Sequence, residues 1–302
     1  MIAHFYLLAE SFCNNRNLNN AELEEKIKRL AEDVRLINQY SDTNIIYTNY
    51  SDLYPQIFYS TYTVCDFICN PQRLKEEGVD RDVINSLNSI IQKSRETTCT
   101  SIEVVDNLLS WIDEDNCHGL ISFHKINQLD ENLQIIYGID GWYKFRRYFL
   151  GKYPKNENFF IDECIKYFPV LYFHERNRLS IRVIFNDCPK KIIYHLAALN
   201  DKLRDARLEG LNRTELLRQF SIIACLDEEA SPEGDASRKI AFTFKFTNEE
   251  GIEEDVCCEP HLKLCYSDIS NSYSNNRRIY FHEGKFNIKK GRILIGHIGG
   301  HL

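Results

Sequence analysis

The chain has 302 residues, is 43% hydrophobic and carries a formal net charge of -7 at pH 7, enough apolar material for two medium domains or one large one. That charge argues against broad non-specific nucleic-acid binding by the whole protein. No run approaches the roughly 20 apolar residues of a membrane helix, so a soluble cytoplasmic protein with no membrane partner is expected. Eleven cysteines without a C-x-x-C pair fit reduced thiols and neither metal nor cofactor, since Cys257, Cys258, His261, Cys265 and His282 lack a usual zinc spacing.

The opening MIAHFYLLAESFC has no basic segment before its apolar run and reads as a first buried strand, not a signal. Leu23, Ile27, Leu30, Val34 and Ile37 recur at helical spacing, predicting a helix over 20–39 started by Asn19 or Asn20. A strand over 44–50, helices over 80–94 and 101–112, and a strand over 118–125 follow. Residues 141–160 interleave aromatic and basic side chains. Such a stretch can grip single-stranded nucleic acid, but the commoner meaning is a helix with buried rings and solvated Lys144, Arg146, Arg147 and Lys152. Residues 177–189 read as a strand entering a turn, with Pro189 at a first helical position.

From there the pattern sharpens. Ile192, Leu196, Leu199 and Leu203 mark one helix, closed by Gly210. Leu216, Leu217, Phe220 and Ile223 mark a second, opened by Asn212 or Thr214. The period then falls to two, with Ile240, Phe242, Phe244 and Phe246 alternating with smaller or polar residues, and strands over 256–264, 277–283 and 292–299 follow. The expected fold class is α+β: a mixed α/β N-terminal region, 1–185, that senses, docks or regulates, and a C-terminal domain, 186–302, of two helices and a four-stranded, mainly antiparallel sheet.

The chemistry gathers at the C-terminal end. Four of the nine histidines, His261, His282, His297 and His301, fall in the last 42 residues. Alternation groups Glu259, His261 and Lys263 in one row, Arg278, Tyr280 and His282 in another, and Ile293, Ile295 and His297 in a third. Cleaving RNA by attack of its 2'-hydroxyl needs a base, an acid and a cation for the phosphorane. Histidine supplies the first two near neutrality, and lysine or arginine the third. His261, Lys263, Arg278, His282 and His297 are therefore candidate catalytic residues of a metal-independent endoribonuclease. Arg277, Tyr280, Lys289, Lys290, Arg292 and His301 are candidate RNA-binding residues. Each histidine alone is more commonly an interior hydrogen-bonding group; the clustering raises the joint case. Residues 226–255 hold ten Asp or Glu against three Lys or Arg, while 259–302 hold seven Lys or Arg against three acids. The acidic stretch Asp227 to Asp235 could thus shield the basic face, although an exposed acidic loop is the more frequent meaning.

Two helices followed by strands of the form E-x-H-x-K-L, R-I-Y-F and I-L-I-G-H-I-G make residues 190–302 resemble the RelE/HigB superfamily of bacterial ribonuclease toxins. The resemblance matches Arg278 and Tyr280 to that family's arginine strand and His297 and His301 to its basic tail. It implies a toxin or phage-defence effector with RNA, on the ribosome, and an antitoxin or defence-operon protein as partners. Nearly 190 residues precede the matched region, and the family's terminal lysine pair is absent. Two alternatives stand beside it. His261, Lys263 and Asp268 fit H-x-K-x-x-x-x-D, which resembles phospholipase D-type phosphodiesterases and nucleases, without the following Gly-Ser step. A non-enzymatic partner-binding component of a bacterial defence system, with structural histidines, is the other.

Overall fold

The computed structural model describes residues 1–13, 18–40, 43–113, 115–136, 138–207, 210–233, 236–264 and 277–302. The chain forms two compact units, Met1–Arg146 and Arg147–Leu302. This division lies well before the expected 185/186, because the strand at 171–173 pairs with the last strand of the chain and so belongs to the C-terminal unit.

In the N-terminal unit, β1 (Ile2–Leu7) leads into α1 (Asn20–Gln39) and β2 (Asn44–Thr48). Helix α2 (Tyr50–Leu53), the ribbon β3 (Ile57–Tyr59) and β4 (Tyr62–Thr63), and helices α3 (Val64–Cys69), α4 (Pro71–Glu76) and α5 (Arg81–Gln92) precede β5 (Arg95–Glu96). Helix α6 (Ser101–Glu103), β6 (Asn116–Ile121) and β7 (Gln134–Ile135) follow, and α7 (Gly138–Lys152) begins in this unit and ends in the next. The sheet is parallel throughout, in the order β5-β2-β1-β6-β7. The chain therefore builds outward from β1 on one side and then returns to build on the other. In such sheets ligands enter at the carboxyl ends of the strands where the order reverses. Here the chain fills that place itself: Ser11 Oγ accepts from Phe123 N at 3.4 Å and Ser11 O from His124 N at 3.0 Å. The nearby cavity under Tyr6, Tyr47 and Cys99 has room for about 10 Å³, no more than one water.

Helix α1 starts where Asn19 accepts from Glu22 N at 2.9 Å and Glu22 returns the bond to Asn19 N at 3.1 Å, a capping box. Its apolar stripe Leu23, Ile27, Leu30, Val34 and Ile37 is buried, and Asp33 is buried with it at 0% exposure. Burial raises the Asp33 carboxyl to about 7, while the Gly138 amide at the start of α7 holds it down in part. Arg146, expected in water, is 3% exposed. Its guanidinium donates to Asn44 Oδ1 at 2.5 Å and Thr43 O at 3.2 Å and lies over Trp142.

In the C-terminal unit, α8 (Glu157–Tyr167) and β8 (Leu171–Phe173) are followed by α9 (Asn177–Ser180), α10 (Pro189–Lys202) and α11 (Arg213–Ile223). The strands β9 (Thr243–Thr247), β10 (Glu253–Cys257), β11 (His261–Lys263), β12 (Arg277–His282) and β13 (Ile293–Gly300) complete it. Four strands form one sheet in the order β11-β12-β13-β8, antiparallel except for β13 with β8, and β9 with β10 form a separate hairpin. The four-stranded, mainly antiparallel sheet is as expected; its membership is not. Residues 179–185 are helical turns. Leu179 and Val183 are 64% and 68% exposed while Ile181, Ile184 and Phe185 are buried, so the helical spacing prevails over an apparent alternation. Ile240, 88% exposed, precedes its expected strand in a 3-10 turn that runs to Phe242. Arg147 is buried as well, donating to Tyr167 O at 2.7 Å and Asp201 at 2.8 Å. It thereby satisfies a carbonyl left over at the end of α8.

Asp33 binds protons more tightly folded than unfolded, so its contribution to stability is largest below about pH 4 and is lost as pH rises to about 7. Asp33→Asn is expected to be more stable than the parent at pH 8, by up to roughly 4 kcal/mol. The difference should vanish near pH 4. Equal urea midpoints at both pH values would refute a buried, titrating Asp33.

Candidate functional site

The C-terminal sheet turns Leu262, Ile279, Phe281, Ile293, Ile295 and Ile298 toward the helices. Tyr280 and Leu294 pack on the other side with Phe242, Phe244, Phe246, Val256 and Cys258. Strict alternation would place His297 in the helix-facing row of Ile293 and Ile295. A bulge prevents this: Phe281 faces Ile295 but Tyr280 faces His297, leaving Gly296 as the extra residue. Gly296 must be glycine, because a Cβ there would lie 2.5 Å from the Phe244 ring and 2.9 Å from Cys258 Sγ.

The slip corrects the expected third row and assembles a different one. His261 faces Tyr280 across β11 and β12, and Tyr280 faces His297 across β12 and β13. Ring centroids are 5.3 Å apart for His261–Tyr280, 6.0 Å for Tyr280–His297 and 6.4 Å for Tyr280–His301. Lys263, Arg278 and Gly299 form the next row, on the same face. Of the candidate catalytic residues, His261, Lys263, Arg278 and His297 thus come together, joined by Tyr280 and His301.

The proton positions follow from the partners. His297 Nε2 lies 2.9 Å from Gly300 O. A carbonyl only accepts, so the neutral ring carries its proton on Nε2, and Nδ1, buried without a partner, keeps its lone pair. Arg238 lies 3.2 Å from His301 Nδ1 and can only donate, which puts the neutral His301 proton on Nε2, 3.5 Å from Glu233. His261 and His297 are 5% and 4% exposed and Tyr280 is fully buried. Burial, reinforced by Arg278, lowers His261 to about 4; burial, reinforced by Arg176, lowers His297 to about 4; burial also raises Tyr280.

The acidic segment runs along the edge of the row beside β11, and Phe242 lies over Tyr280. Ser231 and His261 exchange backbone bonds of 3.2 and 2.9 Å, and Ser231 Oγ lies 3.4 Å from His261 Nε2. Glu228 pairs with Lys263 at 2.7 Å, and Phe242 stacks on Tyr280 at 5.0 Å. Ser231, Arg176 and Arg238 carry no signal in the local sequence; the acidic run signals Glu228 and Glu233 alone.

Other candidates lie elsewhere. His282 shares the face of Tyr280 but sits opposite Leu294. Its Nδ1 accepts from Gly284 N at 3.0 Å, beside Glu283, which Arg213 pairs at 2.8 Å. Arg277 falls in the row of Ile279 and pairs with Asp187. Lys289, Lys290 and Arg292 precede β13, so Arg292 is about 17 Å along the strand from His297. His261 and Lys263 of the H-x-K-x-x-x-x-D match lie on β11, while Asp268 lies outside the described residues, as does Cys265 of the zinc spacing. Among the described residues no helix is long and apolar enough to cross a membrane. Compared with known proteins, the chain matches no family model, no curated protein and no solved structure.

Two expectations follow. Gly296→Ala should destabilise the C-terminal unit by about 2 kcal/mol through overpacking. Combined with Phe244→Leu, the loss should be smaller than the sum of the two; additive losses in urea unfolding would mean that the bulge is not held by that contact. His261 and His297 bind fewer protons folded than unfolded between about pH 4 and 6.5. Their contribution is therefore complete above pH 6.5 and is lost as pH falls through 4, by up to roughly 3 kcal/mol each. Gln at both positions should flatten the fall of stability in that window, and an unchanged slope would contradict the assignment.

Proposed function

We propose that the C-terminal unit is an endoribonuclease, held closed by its own acidic segment, that cleaves RNA by 2'-hydroxyl attack. The observation that carries this reading is the bulge-built row His261–Tyr280–His297, flanked by Lys263 and Arg278. In the open enzyme His297, with its lone pair on Nδ1, takes the 2'-hydroxyl proton. His261 protonates the departing 5'-oxygen once solvent lifts its depressed pKa. Across two strands the imidazoles stand about 10 Å apart with the Tyr280 ring between them, so the phosphodiester of a bound strand would lie over that ring, in the place Phe242 takes when closed. Lys263 and Arg278 neutralise the phosphorane, and Tyr280 stacks on a base.

The closed form is inactive on this reading because Ser231, Glu228, Glu233 and Phe242 occupy the partners that RNA would use. The N-terminal unit senses or docks the trigger that releases them. The RelE/HigB-like pattern supports a cytoplasmic bacterial toxin or defence effector with a protein partner. Ten free cysteines among the described residues are compatible with a reducing compartment.

The test is to express the full chain, a variant with Glu228→Lys and Glu233→Lys, and that variant with His297→Ala, and to map RNA ends. Expected are fragments with 2',3'-cyclic phosphate ends from the opened variant, more than tenfold above the parent, and loss of at least 100-fold with His297→Ala. An opened, folded variant that yields no such ends, with or without His297, would overturn the reading.

A further inference from the structure

At the other end of β13 a groove of about 570 Å³ opens on the C-terminal unit, lined by Arg204, Lys289, Lys290, Arg292, Tyr172 and Glu249. The four cations are all exposed. None lies within ion-pair distance of a carboxylate among the described residues, whereas other surface lysines and arginines of this acidic chain, such as Lys28, Lys166 and Arg178, are paired. Four like charges gathered around the single carboxylate of Glu249 repel one another, and a bound anion relieves that repulsion.

The backbone adds a second, independent sign. Lys289 and Lys290 both adopt left-handed conformations, with φ of 46° and 54°, followed by Gly291 at 75°. Each non-glycine residue there carries strain of about 1 kcal/mol. The Lys290 amide donates to Glu249 Oε1 at 3.1 Å, so this turn already holds an anionic oxygen. Tyr172, half-buried, offers a ring beside the cations, with Lys289 Nζ 5.5 Å from its centroid.

We propose that this groove binds the backbone phosphates of single-stranded RNA, with Tyr172 stacking on a base and Glu249 as the internal anion that the phosphate displaces. Cations along a groove together with an aromatic platform are the means by which single strands are held without sequence preference. The choice of RNA rests on the ribonuclease reading; the anion site does not. A strand held here and cleaved at His297 would cross about 17 Å of β13, so the groove acts as a distant grip and not as part of the catalytic row.

The experiment is fluorescence anisotropy of a labelled single-stranded oligoribonucleotide with the full chain carrying His297→Ala, so that the probe stays intact. Lys289→Gln, Lys290→Gln and Arg292→Gln together should weaken binding at least tenfold and reduce the salt slope by about 2. Tyr172→Leu should weaken it about tenfold, and Glu249→Gln should tighten it several-fold. Unchanged affinity and salt slope in the folded triple variant would overturn the site. Equal competition by inorganic polyphosphate, with no effect of Tyr172→Leu, would overturn RNA as its ligand. Binding with these dependences, without cleavage by the opened chain, would remove the ribonuclease reading and leave an RNA-binding groove.

Discussion

One inserted residue, Gly296, decides which way the last half of β13 faces. Side chains alternate across a strand, so a single extra position exchanges the two faces for everything beyond it. Before the bulge Ile293 and Ile295 meet the helices; after it His297 stands opposite Tyr280 and Ile298 takes the helix side. The bulge is held by contact as well as by hydrogen bonds, since the Phe244 ring occupies the space that a side chain at 296 would need. Packing of the β9–β10 hairpin and alignment of the polar row are therefore one event.

That event has an electrostatic consequence. Imidazoles brought beneath Phe242 and the Ser231 segment lose their water, and the neutral form is favoured well below the usual pKa. Closed, the row holds neutral rings; opened to solvent, the same rings return toward neutrality and can exchange protons. The cover is fastened by the partly exposed Glu228–Lys263 ion pair, by the contact of Glu233 with His301 and by one backbone bridge at Ser231. Such pairs contribute little each, so most of the resistance to opening resides in the Phe242–Tyr280 stack and the apolar cluster around it.

The two ends of β13 thus have opposite characters. At its carboxyl end polar groups are buried, and Lys263 and His301 face the acids Glu228 and Glu233; at its amino end the cations are exposed and form no ion pair among the described residues. The proposed enzyme uses the first for chemistry and the second for hold. The N-terminal unit is built on other lines, with a parallel sheet whose crossover place is filled by Ser11, Phe123 and His124.

Residue order is enough for the elements whose signal is local. The α1 stripe with its Asn19 cap, the Pro189 start of α10, the Asn212 cap of α11 and the strands around His261, Tyr280 and His297 are all legible, because spacing and capping act within a few residues. It also placed His261, Lys263, Arg278 and His297 among the candidates, and marked the acidic run as a possible shield. Tertiary structure alone decided the rest. Leu179 to Phe185 satisfies two periods, and only its neighbours select the helical one. Strand β8 joins the sheet from more than 100 residues upstream of its partner β13. Arg146 and Arg147 are drawn inside by backbone carbonyls that no nearby residue announces. The facing of His297 depends on a slip of one residue, and that slip is set by a phenylalanine 52 positions earlier in the chain. Alternation is a rule of the isolated strand; register is a property of the packed sheet.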